Sequence, residues 1–254
     1  MAQICVDRIG AVEILTIENQ NKRNAFSGNM AENFLELLKE ADKTPSVRCV
    51  VITGAGSAFS SGHDLSEILG QGADGLREEN NRAFTYPTSM VKPTIAAING
   101  VAYAGGLILA LSCDLRIASI SSSFCVPGAR IGLLPIGGQL SRLFRLMPYS
   151  RALEMVLTAE PMLGTEAHAV GFVNRLVADS QVLSTSLQIA KKIASNSPSV
   201  IQSAKKGFEG SLRNGLSFGE TFEWQTGPIS ASTEDAREGV GAFFEKRSPK
   251  FADK

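Results

Sequence analysis

The chain has 254 residues, 44% of them hydrophobic and 20% charged, enough to build a substantial apolar core in one large domain or two small ones. Its 25 basic and 25 acidic residues balance, which argues against a nucleic-acid or anionic-membrane partner held by bulk electrostatics. With only His63 and His168, a multi-histidine metal cluster is excluded, and no apolar run reaches the roughly 20 residues of a membrane span.

Cys5, Cys49, Cys113 and Cys125 form no CxxC pair and sit in apolar, strand-like surroundings. They read as buried free thiols of a reducing compartment. No signal or transit pattern precedes the first strand, so the expected location is cytoplasmic.

Residues 3–18 read as two strands turned at Ile9-Gly10, because residues 11–17 alternate and are rich in β-branched side chains. A loop from Asn19 to Asn24 carries Lys22 and Arg23. Ser27 is expected to cap a helix of about 16 residues, with Met30, Phe34, Leu35, Leu37 and Leu38 at helical spacing. Cys49–Ile52 and Thr94–Ile98 are nearly continuous apolar runs, the pattern of strands covered on both faces. Ala104–Ser112 reads as a small-residue helix and Cys113–Ser119 as the next strand. This alternation argues for an α/β fold with parallel pairing and right-handed crossovers. Beyond about residue 137 helices dominate, expected at 138–147, 150–158, 165–171, 182–195, 198–213, 216–231 and 233–246. Only Val173–Val177 interrupts them as a strand. The expected division is an α/β core over 1–195 and a helical region over 196–254 for capping and assembly.

Two glycine-bearing turns follow strands and lead into helices. In Phe59-Ser60-Ser61-Gly62-His63-Asp64-Leu65, Gly62 permits a backbone conformation closed to other residues. Asp64 can cap a helix starting at Leu65 and leave the His63 N–H pointing outward. In Asn99-Gly100-Val101-Ala102-Tyr103-Ala104-Gly105-Gly106, the glycine pair lets a ligand oxygen approach the free N–H groups of a first helical turn. Together the turns can aim two backbone N–H groups at one oxygen, an arrangement that needs no catalytic side chain. No carboxylate or serine stands at triad spacing from His63, which favours its backbone over its ring. The basic clusters Lys22-Arg23 and Lys246-Arg247, with Lys250, could hold phosphates or form solvated faces. Residues 127–138, rich in glycine and proline, read as irregular strand and loop and match neither a P-loop nor GxGxxG.

An ordered series of motifs resembles the enoyl-CoA hydratase/isomerase, or crotonase, family nearly end to end. It comprises Lys22-Arg23-Asn24-Ala25, Val50-Val51-Ile52-Thr53-Gly54, residues 59–65, residues 92–100, Cys113-Asp114-Leu115-Arg116-Ile117-Ala118, residues 130–135, residues 157–161 and Glu245-Lys246-Arg247-Ser248-Pro249. The resemblance implies a spiral of ββα units with a C-terminal helical trimerisation region, as a homotrimer or a dimer of trimers. It implies an acyl-CoA thioester whose carbonyl sits between the N–H groups of His63 and Gly105, with coenzyme A arriving as part of the substrate and no separate cofactor. Contacts to the coenzyme are implied for Lys22, Arg23, Ala25, Ser61, Gly62, Asp64 and Leu65, and for Lys246 of a neighbouring chain. The resemblance also marks two departures: Ile108 and Gly128 stand where family hydratases carry glutamates. Pro127-Gly128 and the Ser-Ser-Gly-His-Asp-Leu spelling further resemble enoyl-CoA hydratase domain-containing proteins of type three. Hydration needs one group to deliver water and another to handle the α-proton, and neither Ile108 nor Gly128 can do either. Three readings follow: an enzyme working mainly through its oxyanion hole, with Tyr103, Glu67, His63 or Cys125 as helpers; a non-catalytic acyl-CoA binding or regulatory protein; and a nicotinamide-dependent oxidoreductase, disfavoured by the missing fingerprint glycines.

Overall fold

The computed structural model describes residues 2–71, 74 and 77–252. An antiparallel hairpin of β1 (Gln3–Ile9) and β2 (Val12–Glu18) opens the fold, followed by α1 (Met30–Lys43). Next come β3 (Cys49–Gly54), β4 (Ala58–Ser60), α2 (Leu65–Gln71) and α3 (Glu78–Thr85), then β5 (Thr94–Ile98), β6 (Val101–Tyr103) and α4 (Gly105–Ser112). The chain continues through β7 (Leu115–Ser119), β8 (Ser123–Cys125), α5 (Gly128–Ile131), α6 (Leu143–Leu146), α7 (Tyr149–Thr158), β9 (Met162–Leu163), α8 (Gly164–Ala169) and β10 (Arg175–Val177). Helices α9 (Val182–Ala194), α10 (Pro198–Asn214), α11 (Leu216–Ala231) and α12 (Glu234–Phe244) complete it.

Two sheets organise these elements. The larger runs β1-β2-β3-β5-β7-β10 and the smaller β4-β6-β8-β9. Strands β3, β5 and β7 lie parallel in the larger sheet, and the strand after each crosses into the smaller one. A helix follows each crossing, so three successive strand–strand–helix units wind along both sheets. This is the α/β spiral expected above, with helices gathered at the C-terminal end.

The apolar runs of the larger sheet have a direct physical cause. Along β3, Val50 and Ile52 join a core shared with Phe26, Phe34, Phe59, Phe84 and Phe124. Their neighbours Cys49 and Val51 join a second core closed by Val182 and Ala190 of α9. A strand buried on both faces has no polar face to show.

Several local expectations are corrected. Ser27 does not cap α1: Gly28 turns left-handed (φ +56°), and the helix begins at Met30 after Asn29. The Ser27 hydroxyl instead accepts a bond from Asn19 Nδ2 (3.3 Å). The helix expected over 138–147 shrinks to α6, and the supposed loop at Pro127-Gly128 starts the single helical turn α5. The strand expected from Val173 begins at Arg175, because Phe172 and Val173 still bond back to Ala167. Cys5 is half-buried rather than buried; the other three thiols are buried as expected. Among the described residues no helix is long and apolar enough to cross a membrane.

Candidate active site

The loop at 19–25 is tied to the first glycine turn by buried polar groups. Arg23 and Asn24 both adopt left-handed backbone (φ 52° and 56°). The fully buried Asn24 side chain donates to the carbonyls of Ala55 (2.9 Å) and Ala58 (2.7 Å) and accepts from the Asn19 N–H (2.9 Å). Ser61 N–H donates to Arg23 O (3.0 Å), and the Ser60 hydroxyl donates to Asn24 O (2.9 Å). Phe26 then forms a parallel bridge with His63. That bridge uses the Phe26 N–H on Gly62 O (2.7 Å) and the Asp64 N–H on Phe26 O (2.9 Å). In this pairing the N–H of His63 faces the opposite side from Phe26, as the turn sequence led one to expect.

On that opposite side lies the second turn. Ala104 is left-handed (φ 47°) and its carbonyl accepts the Ile108 N–H (3.0 Å), so α4 begins at Gly105 with its first amide outside the helical ladder. The two turns touch through glycine. A Cβ on Gly62, itself at φ +91°, would stand 2.5 Å from the Gly105 nitrogen, and a Cβ on Gly105 would stand 2.9 Å from Gly62 Cα. Only residues without side chains let these backbones meet. Among the described residues, no hydrogen bond accounts for the N–H of either His63 or Gly105.

Both segments open onto one cavity of about 260 Å³. Its walls include Leu65, Ile108, Pro127, Gly128, Ile131 and Ile136, together with Ser61, Asn81, Tyr103 and Gln139. Ile108 and Gly128, far apart in sequence, therefore meet in the cavity shared by His63 and Gly105. Among the described residues no carboxylate lines it. Ile108 is buried and rests on the bare backbone of Gly137, where a Cβ would lie 2.8 Å from its Cδ1. Gly128 is closed from behind: a Cβ there would lie 2.3 Å from Leu133 O.

The His63 ring is held rather than free. Asn81 donates through Nδ2 to Arg77 O (2.8 Å), which leaves its Oδ1 to accept from His63 Nε2 (3.1 Å). The assignment of this proton follows from the amide's orientation. The ring also meets Phe84 edge-on at 4.7 Å. Burial lowers the His63 pKa below its ordinary value, against the smaller opposing effect of the Asn81 bond, so the ring is neutral near pH 7. Asn81 and Phe84 lie on α3, which the sequence reading missed altogether, as it did Gln139. Gln139 directly follows the Gly137-Gly138 pair, the one local signal that could have marked it.

The remaining anticipated residues separate into two groups. Asp64 caps α2 as expected: its Oδ1 accepts from the Ser66 N–H (3.1 Å) and hydroxyl (2.7 Å). It also pairs with Lys22, and these bonds hold its carboxyl at a pKa of about 2. The carbonyls of Lys22 and Arg23 accept from Ser61, and Ala25 is buried; of the residues anticipated around the coenzyme, Ser61 and Leu65 line the cavity, while Lys22, Arg23, Ala25, Gly62 and Asp64 do not. Lys246 is exposed after α12 and does not line this cavity. Of the suggested helpers, Tyr103 lines the cavity, its hydroxyl bonded to Ser123 Oγ (3.0 Å). Glu67 turns away and accepts the Gly28 N–H (2.9 Å). Cys125 is buried with its thiol on Ala159 O (3.3 Å), and burial pushes its pKa up.

A two-sheet spiral that brings two glycine turns to one apolar cavity defines the crotonase-like class of α/β proteins. A family model described as enoyl-CoA hydratase/isomerase matches residues 7–254. The chain is 33% identical to the 2,3-dehydroadipyl-CoA hydratase of Escherichia coli K12, covering 99% of each chain. It is 32% identical to the short-chain-enoyl-CoA hydratase of Clostridium acetobutylicum, covering 96% of this chain and 95% of the relative. The crystal structure of an enoyl-CoA hydratase from Bacillus anthracis superposes with a TM-score of 0.95 at 31% identity, covering 99% of each chain. The chain belongs to the enoyl-CoA hydratase/isomerase family.

Proposed function

We propose that this protein is an acyl-CoA enzyme that stabilises a thioester enolate between the main-chain N–H groups of His63 and Gly105, and is a poor catalyst of ordinary hydration. The observation that carries this reading is the pair of unpartnered amides facing an apolar cavity that no carboxylate among the described residues lines. A thioester oxygen placed between them accepts two bonds at the start of α4, where the aligned peptide dipoles favour negative charge. The apolar walls exclude water and strengthen those bonds as charge builds on the oxygen. Neutral His63 contributes its backbone, while Asn81 and Phe84 fix its ring. The rim of Lys22, Arg23, Ala25, Ser61, Gly62, Asp64 and Leu65 is the proposed seat of the coenzyme, with Lys246 of a neighbouring chain reaching its nucleotide end. Exposed Phe208, Leu216, Trp224, Phe243 and Phe244 on the C-terminal helices support a homotrimer or a dimer of trimers.

Without a carboxylate pair, hydration lacks general acid–base help worth ~10²–10⁴-fold. Decarboxylation needs no base: loss of CO₂ leaves its electron pair as the enolate the amides hold. Isomerisation needs one mobile proton and a single unusual base. The bare cavity also favours a second reading, an acyl-CoA binding protein without turnover. Incubation of concentrated protein with crotonyl-CoA, 3-enoyl-CoA and methylmalonyl-CoA separates the two. Product from the latter two, with slow hydration of the first, is the expected result. Tight binding with no product from any ester supports the second reading instead.

A further inference from the structure

Arg116 on β7 is 5% exposed and lies at the far end of the helix whose first amide faces the cavity. Its Nη1 donates to Ala110 O (3.2 Å) in the last turn of α4 and to Cys113 O (2.8 Å) just beyond it. Its Nε donates to Phe172 O (2.7 Å), and its guanidinium carbon stands 5.3 Å from the centre of the Phe172 ring. Among the described residues no carboxylate forms an ion pair with it. The adjacent Asp114 carboxylate is held by Lys205 (2.8 Å) and by the Thr94 N–H (2.7 Å) and hydroxyl (2.9 Å). Asp114 and Cys113 are the titratable groups whose charges bear on it, and burial pushes the Cys113 thiol up to about 12, so it is neutral. Burial lowers the pKa of Arg116 itself, yet a guanidinium stays charged at neutral pH.

All eight residues of α4 are buried. A helix of that length spans about 12 Å. Its aligned peptides put a partial positive charge at Gly105 and a partial negative charge at Ser112. Burial along the whole helix leaves both ends weakly screened by solvent. A fixed cation at the Ser112 end offsets the negative pole and leaves the positive pole at Gly105 uncompensated. We propose that Arg116 is a positioning residue that locks the C-terminal end of α4 and offsets its negative pole, so that the Gly105 amide favours an enolate oxygen over a neutral thioester oxygen. The inference rests on the acyl-CoA reading above and extends that site to a charge that never touches the substrate.

The test compares butyryl-CoA, a neutral thioester, with acetoacetyl-CoA, whose enolate is followed by near-ultraviolet absorbance as pH is raised. The wild-type protein is expected to bind both and to form the bound enolate at lower pH than free acetoacetyl-CoA does. Arg116→Gln removes the charge and keeps a donor. Its bound enolate is expected to form about one pH unit higher than in the wild type, a roughly tenfold weaker preference for the anion. Its affinity for butyryl-CoA is expected to stay within about twofold, because a neutral carbonyl gains little from a remote charge. Arg116→Lys keeps the charge and is expected to titrate close to the wild type. His63 and Tyr103, the titratable side chains lining the cavity, are common to all three proteins. A glutamine variant that titrates like the wild type overturns the inference, as does one that weakens both ligands equally, the mark of a merely structural role. Should that variant fail to fold, the lysine variant decides: wild-type titration supports the inference, and enolate formation about one pH unit higher overturns it. Wild-type binding with an unshifted enolate overturns the pair of amides as the anion's seat, and no binding of either ester overturns the acyl-CoA reading itself.

Discussion

Two cavities meet at His63, and they differ in charge. On one side the 260 Å³ cavity holds both open amides and, among the described residues, no carboxylate. On the other a smaller cavity of about 170 Å³ is lined by Glu32, Asp64, Glu67 and Glu79. Successive residues of an extended segment face opposite ways, so His63 and Asp64 divide between the two sides. The carboxylates beside the site are in part committed to structure: Asp64 caps α2 and holds Lys22, and Glu67 fixes the backbone at Gly28. Acidic groups lie close to the cavity, yet among the described residues none of them lines the side that holds the two open amides. Proximity in sequence to a reactive turn therefore says little about which face a carboxylate serves.

The comparison breaks most visibly at the amides. Gly105→Pro removes one donor at a first helical position, and turnover is expected to fall by ~10²–10³-fold. Thermal melting should accompany the assay, because added ring atoms also approach Gly62 and Phe84. Unchanged turnover would refute the role of this amide.

The next effect sharpens the contrast by carrying acid to the apolar side. Ile108→Glu places a carboxyl inside the cavity, and crotonyl-CoA hydration is expected to rise by about 10²-fold, the lower end for general acid–base help. The matching change at Gly128 is not equivalent, since a side chain there collides with Leu133 O. No gain from Ile108→Glu would show that a missing carboxylate at this position is not what limits hydration.

His63→Ala keeps the backbone N–H and removes the ring. Turnover is expected to drop less than about tenfold, far below the ~10²–10⁴-fold that a general acid or base supplies. A larger loss, with a pH profile that loses one limb, would assign the chemistry to imidazole.

The smallest effect belongs to the acidic side. Asp64→Ala is expected to lower Tm by about 2–4 °C at neutral pH, the size of one lost helix cap in a chain of this length. The folded carboxyl titrates at about 2, below its ordinary 3.8. A depressed carboxylate pKa stabilises fully above the ordinary value and loses that effect as pH falls through the folded one. The Tm difference should thus hold above about pH 4 and shrink toward pH 2. A difference that stays constant down to pH 2 would show that the charge of Asp64 contributes nothing.

The larger sheet was legible because burial on both faces leaves an unmistakable run at Cys49–Ile52 and Thr94–Ile98. The smaller sheet was not: β4, β6 and β8 are three residues each, too short for alternation to register. Helix α3 begins with Glu78-Glu79-Asn80 and looks like a loop, although Asn81, Ala83 and Phe84 anchor it. The paired turns were readable from their glycines, since backbone contact at Gly62 and Gly105 tolerates nothing else.

A crystal structure with a bound acyl-CoA tests the central claim most directly. The account requires the thioester oxygen about 2.7–3.1 Å from both the His63 and Gly105 nitrogens. An ordered ester whose carbonyl lies against any other group, with these amides still open, would contradict it.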